Sequence, residues 1–462
     1  MIKFPSFIDS HCHFLGCGYA KTLLKLDDVH SILDLQSLLK QHLDEPFILG
    51  RGWNQESLTE KRFITKQDLD EVSTTIPIVL IRTCGHVISV NSAMIHRMEL
   101  KNTNLDETSS LENGIFVEDD IHLVYDLLPK PDINQLKKYL LIANDLYLSN
   151  GITSVASDDF CIFDIPYENV IKAILESYEE NLIQVQITEQ VNLPNIEVFK
   201  DFIAKGYVNK NYGSFKMGPL KLLSDGSLGG RTAALRLPYN DDTNNSGIKT
   251  FTDEKLFELI HMADKEGMDV AIHAIGDAAM DQVINAIIKS LNITHRINHH
   301  HAIIHAQLAN LDHIKVMKEF HIGAIVQPVF LNSDIPVINE RIGERKAESY
   351  LFHTMYLNEL CVGFSTDAPV ENLNPFENIY VAMNRKSIKY PFLDQHLENE
   401  AFSLNEALEC YLKNNIIYTY ESKKPSSNYV MLDKNPYTID DLSIKDIKIL
   451  ETWIDGICVY KK

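Results

Sequence analysis

Short apolar runs recur along the chain, each closing on a polar or charged residue, with amphipathic stretches between them. The runs span residues 4–13, 151–157, 182–188, 219–225, 269–273, 302–305, 322–327 and 361–367. They are rich in Val, Ile and Leu and too short to be helices, so they read as buried strands. The stretches 134–149, 166–180, 254–267 and 306–320 carry helical periodicity. Eight strands alternating with helices predict an α/β fold, a (β/α)8 TIM-type barrel.

The spacing is regular from the second strand onward, but residues 14–150 separate the first two runs. That far exceeds the about 30 residues of one strand–helix–strand unit. Residues 20–148 are therefore expected to form an inserted subdomain, with strand-like runs of its own at 46–50 and 76–82. It leaves and rejoins the barrel near the first loop of the catalytic face, so it is expected to cover the site. Residues 1–19 then start the barrel and 149–424 complete it. The tail, 425–462, holds strand-like runs at 429–433 and 453–460 and reads as a small appended β subdomain.

The polar residues that close these strands carry the chemistry. Asp9-Ser10-His11-Cys12-His13 ends the first strand, and alternation puts His11 and His13 on one side of it. Lys221, His273, His305 and Asp367 lie at the ends of later strands. In a barrel of this type, strand C-termini converge on one site. Imidazole and carboxylate suit a borderline divalent metal such as zinc. His11, His13 and Asp367 can hold one ion, and His273 with His305 a second.

Lys221 lies in the apolar run Leu220-Lys221-Leu222-Leu223. Burial there lowers an amine's pKa. A neutral amine can add carbon dioxide, and the resulting carbamate can bridge two cations. The other reading is a lysine paired with Asp225 or another carboxylate, and the residues alone leave both open.

Composition narrows the class. The 462 residues are 45% hydrophobic and 23% charged, as in globular proteins. A formal charge of −21 repels phosphate backbones and anionic membranes, so neither nucleic acid nor membrane is an expected partner. No apolar run reaches the roughly 18 residues of a spanning helix, and no signal-peptide pattern precedes His11, so a cytoplasmic location is expected. The seven cysteines are scattered and include no Cys-x-x-Cys pair, so they read as reduced. Cys12 should point away from the two histidines and pack in the core.

The stretches FIDSHCHF (7–14), GRGWN (50–54), CGHVISVNSAM (84–94), GITSVAS (151–157), LKLLSDGSLGGRTAAL (220–235), VAIHAIGDAAM (270–280), IIHAQL (303–308), VQP (326–328) and FSTDAPVENLNP (364–375) resemble the amidohydrolase superfamily. The similar subgroup is the amidohydrolase-3 type, which includes N-substituted formamide deformylase. The resemblance implies a distorted barrel with two divalent metal ions, zinc by preference. It also implies an N6-carboxylated Lys221 bridging them. It places His86 in the pocket as a catalytic and substrate-binding residue. Arg231, after the glycine-rich loop 226–230, is a candidate anchor for a substrate acid group, with a structural salt bridge as the other reading. Trp53 is a candidate substrate contact, with core packing as the other reading.

Two departures stand out. Arg296-Ile297-Asn298-His299 mimics the family's Arg-Ile-Glu-His, yet His305 follows a proper apolar strand and is the preferred ligand. The family's glutamate then becomes Ile304. The chain also begins almost at the first barrel strand, so its small sheet must come from the tail, with the insertion or a partner, as in a homodimer, covering it.

The expected activity is metal-dependent hydrolysis of a non-peptide amide-type C–N bond in a small molecule, with Asp367 moving the proton. A mononuclear heteroaromatic deaminase is disfavoured, because Ala274-Ile275-Gly276-Asp277 follows His273 where a histidine–glutamate pair would be expected. A non-catalytic barrel scaffold would have lost a ligand, and none is lost.

Overall fold

The computed structural model describes residues 1–55, 57–82, 87–98, 109–420 and 427–462, apart from the side chains of residues 118 and 119. It divides into two compact units, one of residues 1–18 and 133–462 and the other of residues 19–132.

The first unit is the barrel. Its strands are Phe7–Cys12, Ile152–Ser157, Gln186–Asn192, Phe215–Leu223, Val270–Ala274, Ala302–His305, Gly323–Val326 and Val362–Phe364. They pair in that order and in parallel, making an eight-stranded, nearly closed sheet. Buried on both faces, such strands are apolar nearly throughout. Alternation is visible in the sixth: Ile303 joins the large core outside the sheet, while Ala302 and Ile304 join Ala271, Ile325 and Tyr418 in a separate cluster. The seam between the eighth and first strands is closed by His13 N–H donating to Ala368 O at 2.9 Å and Asp367 N–H donating to His11 O at 3.0 Å. Below it, the Asn415 amide donates to both Ile8 O and Phe364 O at 2.6 Å. The first and eighth strands thus meet where the candidate ligands lie.

Four sequence expectations are corrected. The run 4–13 is two strands: Ile2–Pro5 pairs antiparallel with Tyr429–Leu432, and only Phe7–Cys12 enters the barrel. Pro5 has no N–H, which helps to end the first of them. The small sheet is therefore not built from the tail alone; its four strands are Ile2–Pro5, Tyr429–Leu432, Ile449–Ile454 and Ile457–Lys461. The third barrel strand lies at Gln186–Asn192, beyond 182–188, because polar Glu189 and Gln190 continue it inside the barrel. The separate unit ends at Asp132, short of 148. Helix Ile133–Ser149 instead buries Leu136, Leu140, Ala143, Tyr147 and Leu148 in the barrel core.

The second unit is organised by a five-stranded mixed sheet: Leu24–Lys25, Ile48–Trp53, Ile78–Arg82, Val87–Val90 and Ile115–Val117. Alternation along its central strand sends Ile78 and Leu80 into one apolar cluster and Val79 and Ile81 into another, so both faces are covered. No helix among the described residues is long and apolar enough to cross a membrane.

Candidate metal centre

At the C-terminal end of the barrel, His11 and His13 both turn Nε2 toward one atom. Asp367 Oδ1 lies 3.2 Å from His11 Nε2 and 3.3 Å from His13 Nε2. That oxygen is buried and accepts no hydrogen bond. His11, His305 and Asp367 each place a donor atom within 4.8 Å of the others. Their residues are only 1%, 2% and 6% exposed. Burial without a partner is costly for a carboxylate oxygen, so the arrangement asks for a cation.

The opposite ring edges explain how the imidazoles are held. His11 Nδ1 meets Gln190 Oε1 at 2.6 Å, His13 Nδ1 meets Asp158 O at 2.8 Å, and His305 Nδ1 meets Gln327 Oε1 at 2.7 Å. The two glutamine oxygens are oriented by their own amides: Gln190 Nε2 donates to Ser10 O at 3.1 Å and Gln327 Nε2 to Ser365 Oγ at 2.7 Å. Carbonyl-type oxygens only accept, so each Nδ1 carries the proton and each Nε2 presents a lone pair. This is the usual support for a metal-ligating histidine.

The electrostatics agree at His11 and His305. Burial pushes His11 below its ordinary value, and burial with the neighbouring His273 pushes His305 well below it, which favours neutral ligands. Burial opposes ionisation of Asp367, but His11 and His13 beside it hold its carboxyl well below the usual range. Burial likewise opposes charge on His13, and Asp367 overrides it, raising His13 well above its ordinary value. Positive charge is favoured at this spot, as a bound divalent ion would supply.

Two of these residues sit in unusual backbone. His305 has φ +74° and Asp367 φ +54°. For non-glycine residues this left-handed region is uncommon and clusters at functional sites. In the sixth strand, alternation from inward Ile304 would send His305 outward. The left-handed turn brings it to His11, with ring centroids 5.8 Å apart.

The other sequence candidates are placed as follows. His273 stacks edge-on against His305 at 4.5 Å, but its Nε2 meets Gly226 O at 3.0 Å and Asp225 Oδ1 at 3.2 Å. Asp225 accepts from the backbone of Ile275, Gly276 and Ala234 as well. Lys221, 2% exposed, has Asp158 Oδ2 at 3.6 Å, so its carboxylate neighbour is Asp158 rather than Asp225. Arg231 does not stand ready for a substrate acid: it is paired with Asp241 at 2.9 Å, and Asp241 also holds Arg341. Trp53 is corrected too. It is fully buried in the core of the second unit, its indole N–H donating to Leu80 O at 3.1 Å and its ring edge-on to Phe63. A bulky apolar ring in a strand is drawn into a core before it is left for a ligand. His86 lies outside the described residues.

The cluster of histidines before the sixth strand resolves in favour of His305. His301 Nε2 lies 3.3 Å from Asp264 Oδ1, His299 stacks on His301 at 4.3 Å, and Arg296 ties Asp264 to Asp269. These residues brace the opposite end of the strand. The sequence reading missed Gln190, Asp158 and Asn192. A polar run inside a strand, Glu189-Gln190-Val191-Asn192, was the signal for two of them.

Comparison with known proteins finds relatives along nearly the whole chain. The chain is 28% identical to YtcJ of Bacillus subtilis (strain 168), a protein carrying an amidohydrolase name, over all of this chain and 89% of that one. It is 21% identical to N-substituted formamide deformylase of Arthrobacter pascens, over 99% of this chain and 88% of that one. An uncharacterized metal-dependent hydrolase of Pyrococcus horikoshii OT3 superposes with a TM-score of 0.79 at 27% identity, covering 95% of this chain and 87% of its own. Residues 3–460 match the model of the Amidohydrolase family, and the chain belongs to that family of hydrolases.

Proposed function

We propose that this chain hydrolyses an amide-type C–N bond, other than a peptide bond, in a small molecule, at a centre of divalent ions. The observation that carries the reading is the orphaned Asp367 Oδ1 facing two imidazole Nε2 atoms whose Nδ1 protons are engaged elsewhere. His11, His13, His305 and Asp367 would hold the first ion. Their mixed nitrogen and carboxylate set fits zinc. When bound, such an ion polarises the scissile carbonyl and makes water ionisable near neutral pH.

The chain's own residues do the rest. Gln190, Asp158 O and Gln327 fix the imidazole planes. Asp367, held ionised, accepts the proton of the attacking water and returns it to the leaving nitrogen. Burial excludes bulk water and strengthens each of these interactions. In the two-ion form of the reading, a carboxylated Lys221 and His273 would help to hold a second ion, which would supply a second Lewis acid for the carbonyl. The formamide bond named for the Arthrobacter relative belongs to the proposed bond class. The described cysteines are all unpaired, which fits a reducing cytoplasm.

A single-ion centre is a second reading, and two contacts favour it: Lys221 lies beside Asp158, and His273 Nε2 meets Gly226 O. Elemental analysis of protein purified without chelator separates the two, one equivalent against two. Screening the metal-replete protein on N-formyl and N-acyl amines, cyclic ureides and acylamino acids tests the activity. Full hydrolytic activity after exhaustive chelation would sink both forms.

A further inference from the structure

The ligand cluster is polar, but two side chains beside it are not. In the fourth strand Leu222 joins the core outside the sheet, so Lys221 and Leu223 point inward. The register agrees: Leu223 pairs with His273 on the neighbouring strand, and residues paired in this way share a face. Leu223 stands two residues, about 6–7 Å, nearer the mouth than buried Lys221. It is 40% exposed, although it lies on the inner face of a barrel.

Phe330 lies on another side of the same histidines. It ends the short helical turn Pro328–Phe330, which follows Gln327 directly. Its ring stacks on His305 at 5.5 Å with 22° between the planes, and part of it stays exposed. The turn is fixed at both ends. Val329 N–H donates to Asn378 Oδ1 at 2.8 Å, and Tyr350 O–H donates to Asp334 while accepting from Gln307 Nε2 at 2.9 Å. Gln307 is two residues past His305, so one network braces the ring and the imidazole it covers. His273 meets His305 at 4.5 Å. Leu223, His273, His305 and Phe330 therefore form one row across the fourth to seventh strands, with apolar ends.

An exposed leucine and a partly exposed phenylalanine, both held in place beside a ligand cluster, gain burial when an apolar group lies against them. Small-molecule sites have this composition, apolar walls around a few placed polar groups. Arg231 is tied to Asp241 and offers no counter-charge for an acid. We propose that Leu223 and Phe330 are the walls that select the substrate, an amide with an uncharged hydrocarbon substituent next to the scissile bond. The identity of that bond rests on the hydrolase reading, whereas the walls bind without any reaction.

A hydroxamate head group binds a divalent ion directly, so a series from acetohydroxamate to octanohydroxamate reads the walls as a change of affinity with chain length. Calorimetry on the zinc-loaded protein gives each Kd. In the wild type each added methylene should tighten binding by up to about fourfold while it is being buried. The ratio of long-chain to short-chain affinity cancels any change at the ion. Leu223→Asn, similar in size and at an exposed position, should melt as the wild type does. It and Phe330→Ala should each lower that ratio by about tenfold or more, the loss expected from one apolar wall. A ring that only holds His305 in place would weaken every hydroxamate equally and leave the ratio unchanged. A flat series in the wild type, or a ratio unchanged in either variant, overturns the proposal even where the amide panel is hydrolysed. A steep series that both variants flatten, in a protein that hydrolyses nothing, leaves the walls standing and counts against the hydrolase reading alone.

Discussion

Gln190 touches no expected ligand atom of the ion, yet its removal should be felt there. Its Oε1 accepts the His11 Nδ1 proton at 2.6 Å inside a fully buried wall. Gln190→Met keeps length and volume but removes the acceptor. His11 then has a buried Nδ1–H without a partner, or it flips tautomer and turns a proton toward the ion. Stranding a buried polar group costs about 1–3 kcal/mol. Losing a group that orients a ligating histidine typically lowers metal affinity by about 10–100-fold, or about 1.4–2.7 kcal/mol. The two ranges overlap, so Gln190→Met should weaken zinc binding by about 10–100-fold.

The assay is competition against a chromophoric chelator at neutral pH, with a thermal melt of the metal-free protein as control. Gln190→Glu restores an acceptor and should recover most of the affinity, which a merely space-filling role for Gln190 would not predict. Zinc affinity of Gln190→Met within twofold of the wild type, with an unchanged melt, would refute the assignment of Nδ1 as the protonated nitrogen.

Asp367→Asn should cut turnover by at least about a hundredfold, the lower end of general acid–base contributions, while metal content is largely kept; a rate above a tenth of the wild type with metal retained would remove Asp367 as the base. His299, pushed down to about 4 by burial and by His301 beside it, has a folded value below its unfolded one. Its stabilising contribution is therefore complete above about pH 6.5 and is lost as pH falls toward 4, on the order of 1–3 kcal/mol. Urea melts of His299→Asn should show a flatter decline over that window, and a decline parallel to the wild type would refute this. Trp53→Ala should destabilise the second unit by about 3–5 kcal/mol, read as faster amide exchange within residues 19–132; unchanged exchange there would deny Trp53 its core role.

The parts of the molecule that were legible in the sequence share a physical cause. Buried parallel strands must be apolar along most of their length, so the runs around 152–157, 270–274 and 302–305 announced themselves, and the polar residues ending them marked the site. Ile2–Pro5 did not, because only Ser6 separates it from Phe7–Cys12, and a one-residue break carries no turn signal. Trp53 and Arg231 stayed open between two readings for another reason. Whether an aromatic ring meets a core or a ligand, and whether an arginine finds Asp241, depends on partners far away or on loop geometry that carries no period. The orienting groups were hidden further still. Asp158 holds His13 through its main-chain carbonyl, which every residue possesses, so no side-chain pattern can report it.

The backbone at His305 and Asp367 adds a last step to the argument. An ordinary extended strand alternates strictly, and inward positions in the sixth strand are taken by Ala302 and Ile304. Continuing that strand in β geometry would have placed the imidazole of His305 among the outer helices, away from His11. A left-handed residue at the strand's last position reverses the direction at a cost of order 1–3 kcal/mol, and the chain uses it again at Asp367, just past the eighth strand. What both gain is convergence of Nε2 and Oδ1 on one point with His11, which is of use only if something positively charged is to sit there.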